Sequence, residues 1–218
     1  MLGVIINRFK QGFKTLSYPK EIPSFPKRFR GKPITPVDLG ECLFNEGAAT
    51  YSQDYRMAVS KREDLNFKGD EVKLAAAFNE KMRKIFGRSL KLREVCAGSC
   101  SGCDAEIAAM GNIVFDLSRF GVQFVASPRH ADGLMITGPV TKNMESALKK
   151  TYEAMPHPKI VIAVGACALS GGPFRGSKEV NNGVDSLIPV DLYIPGCPPH
   201  PLTILDGLLR LLDKLPAR

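Results

Sequence analysis

Residues 90–106, LKLREVCAGSCSGCDAE, pass from an alternating run through a glycine and cysteine turn into a helical pattern. Leu90, Leu92 and the residues between them alternate as a half-buried strand does, and the carboxylates Asp104 and Glu106 open the helix that follows, where they meet the positive end of its dipole. The same texture recurs downstream. Short apolar runs at 121–126, 133–138, 159–165 and 190–195 alternate with helical patterns at 104–119, 141–154 and 200–214. Repeated strand and helix units of this length predict an α/β fold, a mainly parallel sheet flanked by helices.

Four cysteines fall at one kind of place in this scheme. Cys100 and Cys103 follow the first strand, Cys167 follows KIVIAVGA, and Cys197 follows DLYIPG. Each lies just past the carboxyl end of a strand, where open α/β sheets gather their ligands. The length of 218 residues gives one sizeable core plus an extension. No apolar run is long enough to span a bilayer, and the start, MLGVIINRFKQGFKTL, lacks a secretory cleavage pattern, so a cytoplasmic location is expected. There, clustered cysteines read as metal ligands or redox thiols rather than a disulfide framework. Zinc and an iron–sulfur cluster both accept four thiolates. Structural zinc modules favour paired C-x2-C knuckles in a small unit, whereas here the thiols come from loops of a domain with its own core, and Pro198 follows Cys197 as in ferredoxin runs. A [4Fe–4S] cluster is the better expectation, and a zinc-stabilised interaction module the alternative from another class. Glycines nearby, including Gly102, Gly165, Gly172 and Gly196, serve either as tight turns or to let backbone N–H groups approach cluster sulfurs.

The formal charge is +8, and the excess is N-terminal: residues 1–95 hold 19 Lys/Arg against 11 Asp/Glu, whereas residues 96–218 hold 11 of each. Leu2, Ile5, Ile6, Phe9, Phe13 and Leu16 recur at helical spacing among Arg8, Lys10 and Lys14, a basic amphipathic helix that lies on a membrane or packs on a partner or on the protein itself. Residues 18–36 are proline-rich and predict an extended arm, 38–69 show no firm periodicity, and 70–87 predict a helix stopped by Gly87. Two parts follow: residues 1–87, a basic arm and helices for docking, and residues 88–218, the cysteine domain. Nucleic acid is not an expected partner, because stacking aromatics are not interleaved with base-reading residues in a recognisable module.

AGSCSGCDAE, FGVQFVASPRHADGLMITGPVT, KIVIAVGACALSGGPF and DLYIPGCPPHP, in that order over residues 88–214, resemble the small subunit of membrane-bound energy-converting [NiFe] hydrogenases. That family is homologous to the complex I subunit that carries the last iron–sulfur cluster, the B-type subunit of NADH-quinone oxidoreductase. The resemblance implies a flavodoxin-like domain with one [4Fe–4S] cluster held by Cys100, Cys103, Cys167 and Cys197. Its implied partners are a [NiFe] large subunit, a ferredoxin-like iron–sulfur subunit and membrane-arm subunits, on the cytoplasmic side of the membrane as a peripheral part of the complex. Complex I-type subunits have adjacent cysteines at the first position, so the two-residue gap favours hydrogenase, with a complex I-like subunit as the alternative. The [NiFe] site would not be on this chain. The stretch YPKEIPSFPKRFRGKPI resembles the lead-in of the ferredoxin-type subunit of the same complexes, without its Cys-rich motifs.

The remaining residues have plainer expectations. Cys96 reads as a strand-end packing residue, since free cysteine behaves as a small hydrophobe, and Cys42 as more remote still. Glu106 is a candidate for a proton path toward the large subunit. Arg129 and His130 read either as cations near the cluster or a partner, or as local partners of Asp132.

Overall fold

A computed structural model describes residues 2–45, 47, 49–69, 71–86 and 89–215. The chain opens with helix α1 (Leu2–Gln11), and a small antiparallel pair follows, β1 (Val37–Asp38) with β2 (Asn66–Phe67). Helix α2 (Glu80–Phe86) leads into β3 (Leu90–Cys96), α3 (Gly102–Ala109), β4 (Val122–Phe124), β5 (Gly133–Thr137), α4 (Lys142–Glu153), β6 (Ile160–Val164), α5 (Ala166–Ser170), β7 (Leu192–Ile194) and α6 (Pro201–Leu211). The five later strands form one sheet in the order β4-β3-β5-β6-β7, and every neighbouring pair is parallel. Counted from β3, this is the 2-1-3-4-5 order of flavodoxin-like folds.

The two central strands explain why the sheet is legible as apolar runs. GLMIT of β5 and IVIAV of β6 are buried at every position, because helices cover both faces. Met135, Ile160, Ile162 and Val164 point into one core with α3 and α6, while Leu134, Ile136, Val161 and Ala163 point into the other with α4 and α5. The arm feeds both cores. Tyr18, Tyr55, Ala58 and Phe86 join the first, and Leu39, Cys42, Phe44, Met57 and Val59 join the second.

Specific bonds hold the arm down. Val59 and Tyr193 exchange backbone hydrogen bonds of 3.0 and 2.9 Å, which covers the free edge of β7. The Tyr18 hydroxyl donates to Asp206 Oδ1 at 2.9 Å, and Arg210 Nε donates to Asp206 Oδ2 at 2.7 Å. Asp206 is 1% exposed, so both donors matter to a carboxylate that water cannot reach. Tyr18→Phe is therefore expected to cost about 1.5 kcal/mol, the scale of a hydrogen bond to a charged group, without changing the α6 core; urea unfolding measures it.

Three expectations change. The helix expected over 70–87 begins only at Glu80, because the N–H groups of Ala75, Ala76 and Phe78 are taken by Ala58 O, Ser60 Oγ and Leu211 O, long-range partners that outcompete a helical turn. Gly87 lies outside the described residues. The helix expected over 104–119 ends at Ala109, and a 3-10 turn at Leu117–Phe120 follows separately. The third concerns α1: of its expected seats the protein's own body drops out among the described residues, because none of the helix's residues is buried.

Candidate functional site

The carboxyl ends of β3, β6 and β7 bring the four sequence-predicted cysteines to one end of the sheet. Cys100 sits in the turn before α3 and Cys103 in its first turn, after Ser101 takes a left-handed backbone at φ 66°. Cys167 lies in α5 directly after β6, and Cys197 follows β7. Backbone bonds lock the last two loops together: Gly165 N donates to Ile194 O and Ala166 N to Gly196 O, each at 2.8 Å.

Electrostatic coupling reports the proximity of the four thiols. Burial, and after it the charges of Cys167, Cys197, Cys100 and Asp104, push Cys103 up to about 12. Burial and then Cys197 and Cys100 push Cys167 up to about 11, while burial, Cys100 and Cys42 raise Cys197. Cys103 is buried and Cys167 half-buried, whereas Cys100 and Cys197 are exposed, and like charges gathered at such a partly buried place resist ionising together. Two glycines press backbone against the sulfurs. A Cβ on Gly165 would lie 2.5 Å from Cys103 Sγ, and one on Gly172 would lie 2.8 Å from Cys167 Sγ. Among the described residues, no three His, Cys, Asp or Glu side chains meet the geometry for a single bound metal ion.

Asp104 does more than meet a helix dipole. It accepts from Thr137 Oγ1 at 2.5 Å and from Ser99 Oγ at 2.7 Å, tying the cysteine turn to the end of β5. Burial pushes its pKa up, but those hydrogen bonds outweigh the burial and hold the carboxyl below its usual range. Cys96 is corrected by the structure: it is exposed rather than packed, with Sγ 3.2 Å from Ser99 Oγ, because the last residue of β3 turns away from the core. Cys42 is buried and closer to the site than sequence distance suggested, within 3.5 Å of the Tyr51 hydroxyl and coupled to Cys197.

Arg129 and His130 are exposed in a turn that leads into the amino end of β5, opposite the cysteines. The short β4 pairs only with the start of β3, which sends the connection to that end. Asp132 is engaged with Lys91 N at 2.7 Å, and no ion pair of Asp132 with Arg129 or His130 is found among the described residues. Glu106 lines a cavity of about 460 Å³ beside Cys197, and burial raises its pKa.

Residues that sequence reasoning did not assign to the site, Arg28, Phe29, Phe44 and Met57 among them, line the same cavity from the side of the arm. Phe25 and Phe29 stack at 4.2 Å and each meets the His200 ring edge-on, at 5.4 and 5.5 Å. The signal available was the pair of phenylalanines in a proline-rich arm, which a solvated linker has no reason to keep.

Glu94 is a second missed group. Burial, the Asp104 charge and a hydrogen bond with Asp104 raise it to about 7, and its Oε1 is buried without a partner among the described residues. With the folded pKa above the unfolded one, the folded state holds more protons, so stability falls as pH rises from about 4.5 to about 7. Glu94→Gln removes that loss. The variant is expected to match the parent near pH 4 and exceed it by about 1 kcal/mol at pH 7.5, after discounting for partial exposure, as read by thermal unfolding across pH.

Comparison with known proteins places this architecture. The family profile described as NADH ubiquinone oxidoreductase, 20 Kd subunit matches residues 100–211, which include all four cysteines. The probable membrane-bound hydrogenase subunit mbhJ of Pyrococcus furiosus is 50% identical over 132 residues, covering 61% of this chain and 79% of that one. The B-type subunit of NADH-quinone oxidoreductase from Bacteroides thetaiotaomicron is 48% identical over 132 residues, covering 60% of this chain and 66%, just under two thirds, of that one. Among solved structures, a chain of the membrane-bound sulfane sulfur reductase, an archaeal respiratory membrane complex, aligns with a TM-score of 0.54 at 34% identity, over 63% of this chain and 76% of that chain. These relatives are subunits of membrane-bound or respiratory oxidoreductases, and no described helix here is long and apolar enough to cross a membrane. By its matched half and its strand order, this chain belongs to the NADH ubiquinone oxidoreductase 20 Kd subunit family.

Proposed function

We propose that this chain is the electron-transfer subunit of a membrane-bound [NiFe] hydrogenase complex, holding one [4Fe–4S] cluster through Cys100, Cys103, Cys167 and Cys197. The observation that supports it is the donor set: four thiols from three sheet-end loops lie within reach of one another's charge, which helps raise Cys103, Cys167 and Cys197, and backbone without Cβ atoms closes on two of their sulfurs. Thiolates are the ligands of such clusters, and a cluster fills more room than a single ion. When bound, the cluster accepts one electron and gives it up again.

The residues of the chain have separate tasks in this reading. The four cysteines lose their protons to become ligands, so loading releases protons to solvent. Gly165 and Gly172 leave the sulfurs open to backbone dipoles, which tune a potential. Asp104 keeps the Cys100 to Cys103 turn on the end of β5 through Thr137 and Ser99. The arm, anchored by Phe25 and Phe29 on His200, walls the cavity beside Cys197. Glu106, at the cavity beside Cys197, is the residue on this chain that would carry a proton toward the large subunit.

Partners are the [NiFe] large subunit, a ferredoxin-like iron–sulfur subunit and membrane-arm subunits on the cytoplasmic face. The 50% identity to a probable hydrogenase subunit and the two-residue gap between Cys100 and Cys103 favour hydrogenase. A second reading, a complex I-like subunit whose large partner lacks nickel, draws on the 48% identity to the NADH-quinone oxidoreductase relative. Affinity purification from membranes separates them. A large partner with bound nickel and H2-dependent dye reduction is the expected result; a nickel-free partner supporting quinone reduction would overturn the hydrogenase reading.

A further inference from the structure

We propose that α1 is a membrane-surface anchor, a helix that seats its apolar stripe in an anionic lipid bilayer. The inference goes beyond electron transfer and stands without it. At 100° per residue, Leu2, Ile5, Ile6 and Phe9 fall within roughly 100° of arc, the width of an amphipathic face. Arg8 borders that stripe on one side and Lys10 on the other; Val4 alone among the large apolar residues lies on the polar side.

The stripe is bare. Phe9 is 84% exposed and Phe13 87%, and no residue of α1 is buried. Arg8 stands 4.3 Å from the Phe13 ring centroid, which folds Phe13 back toward the helix. The chain regains the body only at Thr15 and Leu16, whose hydroxyl and N–H donate to Ile113 O at 2.7 Å and Val114 O at 2.8 Å. Ile113 is itself 70% exposed, so apolar surface continues from the helix onto the domain at the point of attachment.

Charge selects the occupant. Cations on both borders of an apolar stripe sit at the depth of lipid headgroups, where their stems lie along acyl chains and their charges reach phosphates. Lys14 extends the basic border, and the first 34 residues carry eight Lys/Arg against the single acid Glu21. That field is extended along the arm, as an anionic surface is. A protein groove that took up the stripe would have to meet both cationic borders as well.

The sequence contains no tryptophan, so Phe9→Trp gives the full-length protein a single reporter. With phosphatidylcholine vesicles containing phosphatidylglycerol, its emission is expected to shift to the blue and the protein to sediment with lipid. Neutral phosphatidylcholine vesicles are expected to bind at least about tenfold more weakly, and added salt to erase the difference. Lys10→Gln and Lys14→Gln should each lose about fivefold in partitioning, and Ile6→Asp more than about tenfold. Phe13→Asp replaces Ile6→Asp if the latter lowers the melting temperature. Absence of binding to either vesicle, or equal binding to both, overturns the proposal. So does a photocrosslinker at position 13 that labels only protein in native membranes.

Discussion

Replacing Cys103 by alanine is expected to leave the protein without iron, whereas Cys96→Ser is expected to retain it fully. The two residues stand seven positions apart in one loop region but differ in surroundings. Cys103 is 8% exposed and feels the charges of Cys167, Cys197 and Cys100. Cys96 is exposed, with its Sγ 3.2 Å from Ser99 Oγ. A resident cluster couples to folding, because its ligands are brought together only in the folded chain. Loss of the Cys103 thiol should therefore also lower stability, by about 3 kcal/mol or more, which for a chain of this size is roughly 6–12 °C in Tm. Iron content and a melting curve on the same preparations check both parts.

Gly165→Ala should come next in severity. At φ 86° and ψ 154° the residue occupies a region open almost only to glycine. The added methyl would also stand 2.5 Å from Cys103 Sγ, with the Gly196 carbonyl and Pro199 behind it. Strain and overpacking together are expected to cost about 3 kcal/mol and to displace the sulfur enough to lose most of the iron. Gly176→Ala isolates the first cause. It shares a positive φ of 81° but meets nothing within 4 Å, so about 1 kcal/mol and full iron retention are expected. Equal losses at the two positions would mean that backbone strain, not the crowding of Cys103, matters.

The domain from Leu90 onward was legible because its signals are local. The apolar runs of β5 and β6 are buried on both faces, and the cysteines mark strand ends whatever the sheet order. The order itself, with β3 between β4 and β5, is consistent with the flavodoxin-like expectation. Residues 18–86 were harder because their structure is held by distant partners. Val59 has no strand pattern of its own and gains its pairing from Tyr193. Ala75 and Phe78 read as helical, yet their N–H groups go to Ala58 and Leu211. For the site, C-x2-C and the two later cysteines could be read directly, but Thr137 and Ser99 on Asp104, the edge-on contact of Phe29 with His200, and the raised pKa of Glu94 depend on which elements meet, and spacing along the chain does not carry that.

Four thiols on this chain, in the proposed function, hold one iron–sulfur cluster that moves electrons. Low-temperature EPR of the dithionite-reduced protein, with iron, labile sulfide and zinc determined on the same sample, tests it most directly. Iron and sulfide in equal amounts, at about four of each per chain, with the signal of one reduced cluster, are the expected result. One zinc per chain with no reduced-cluster signal would contradict it.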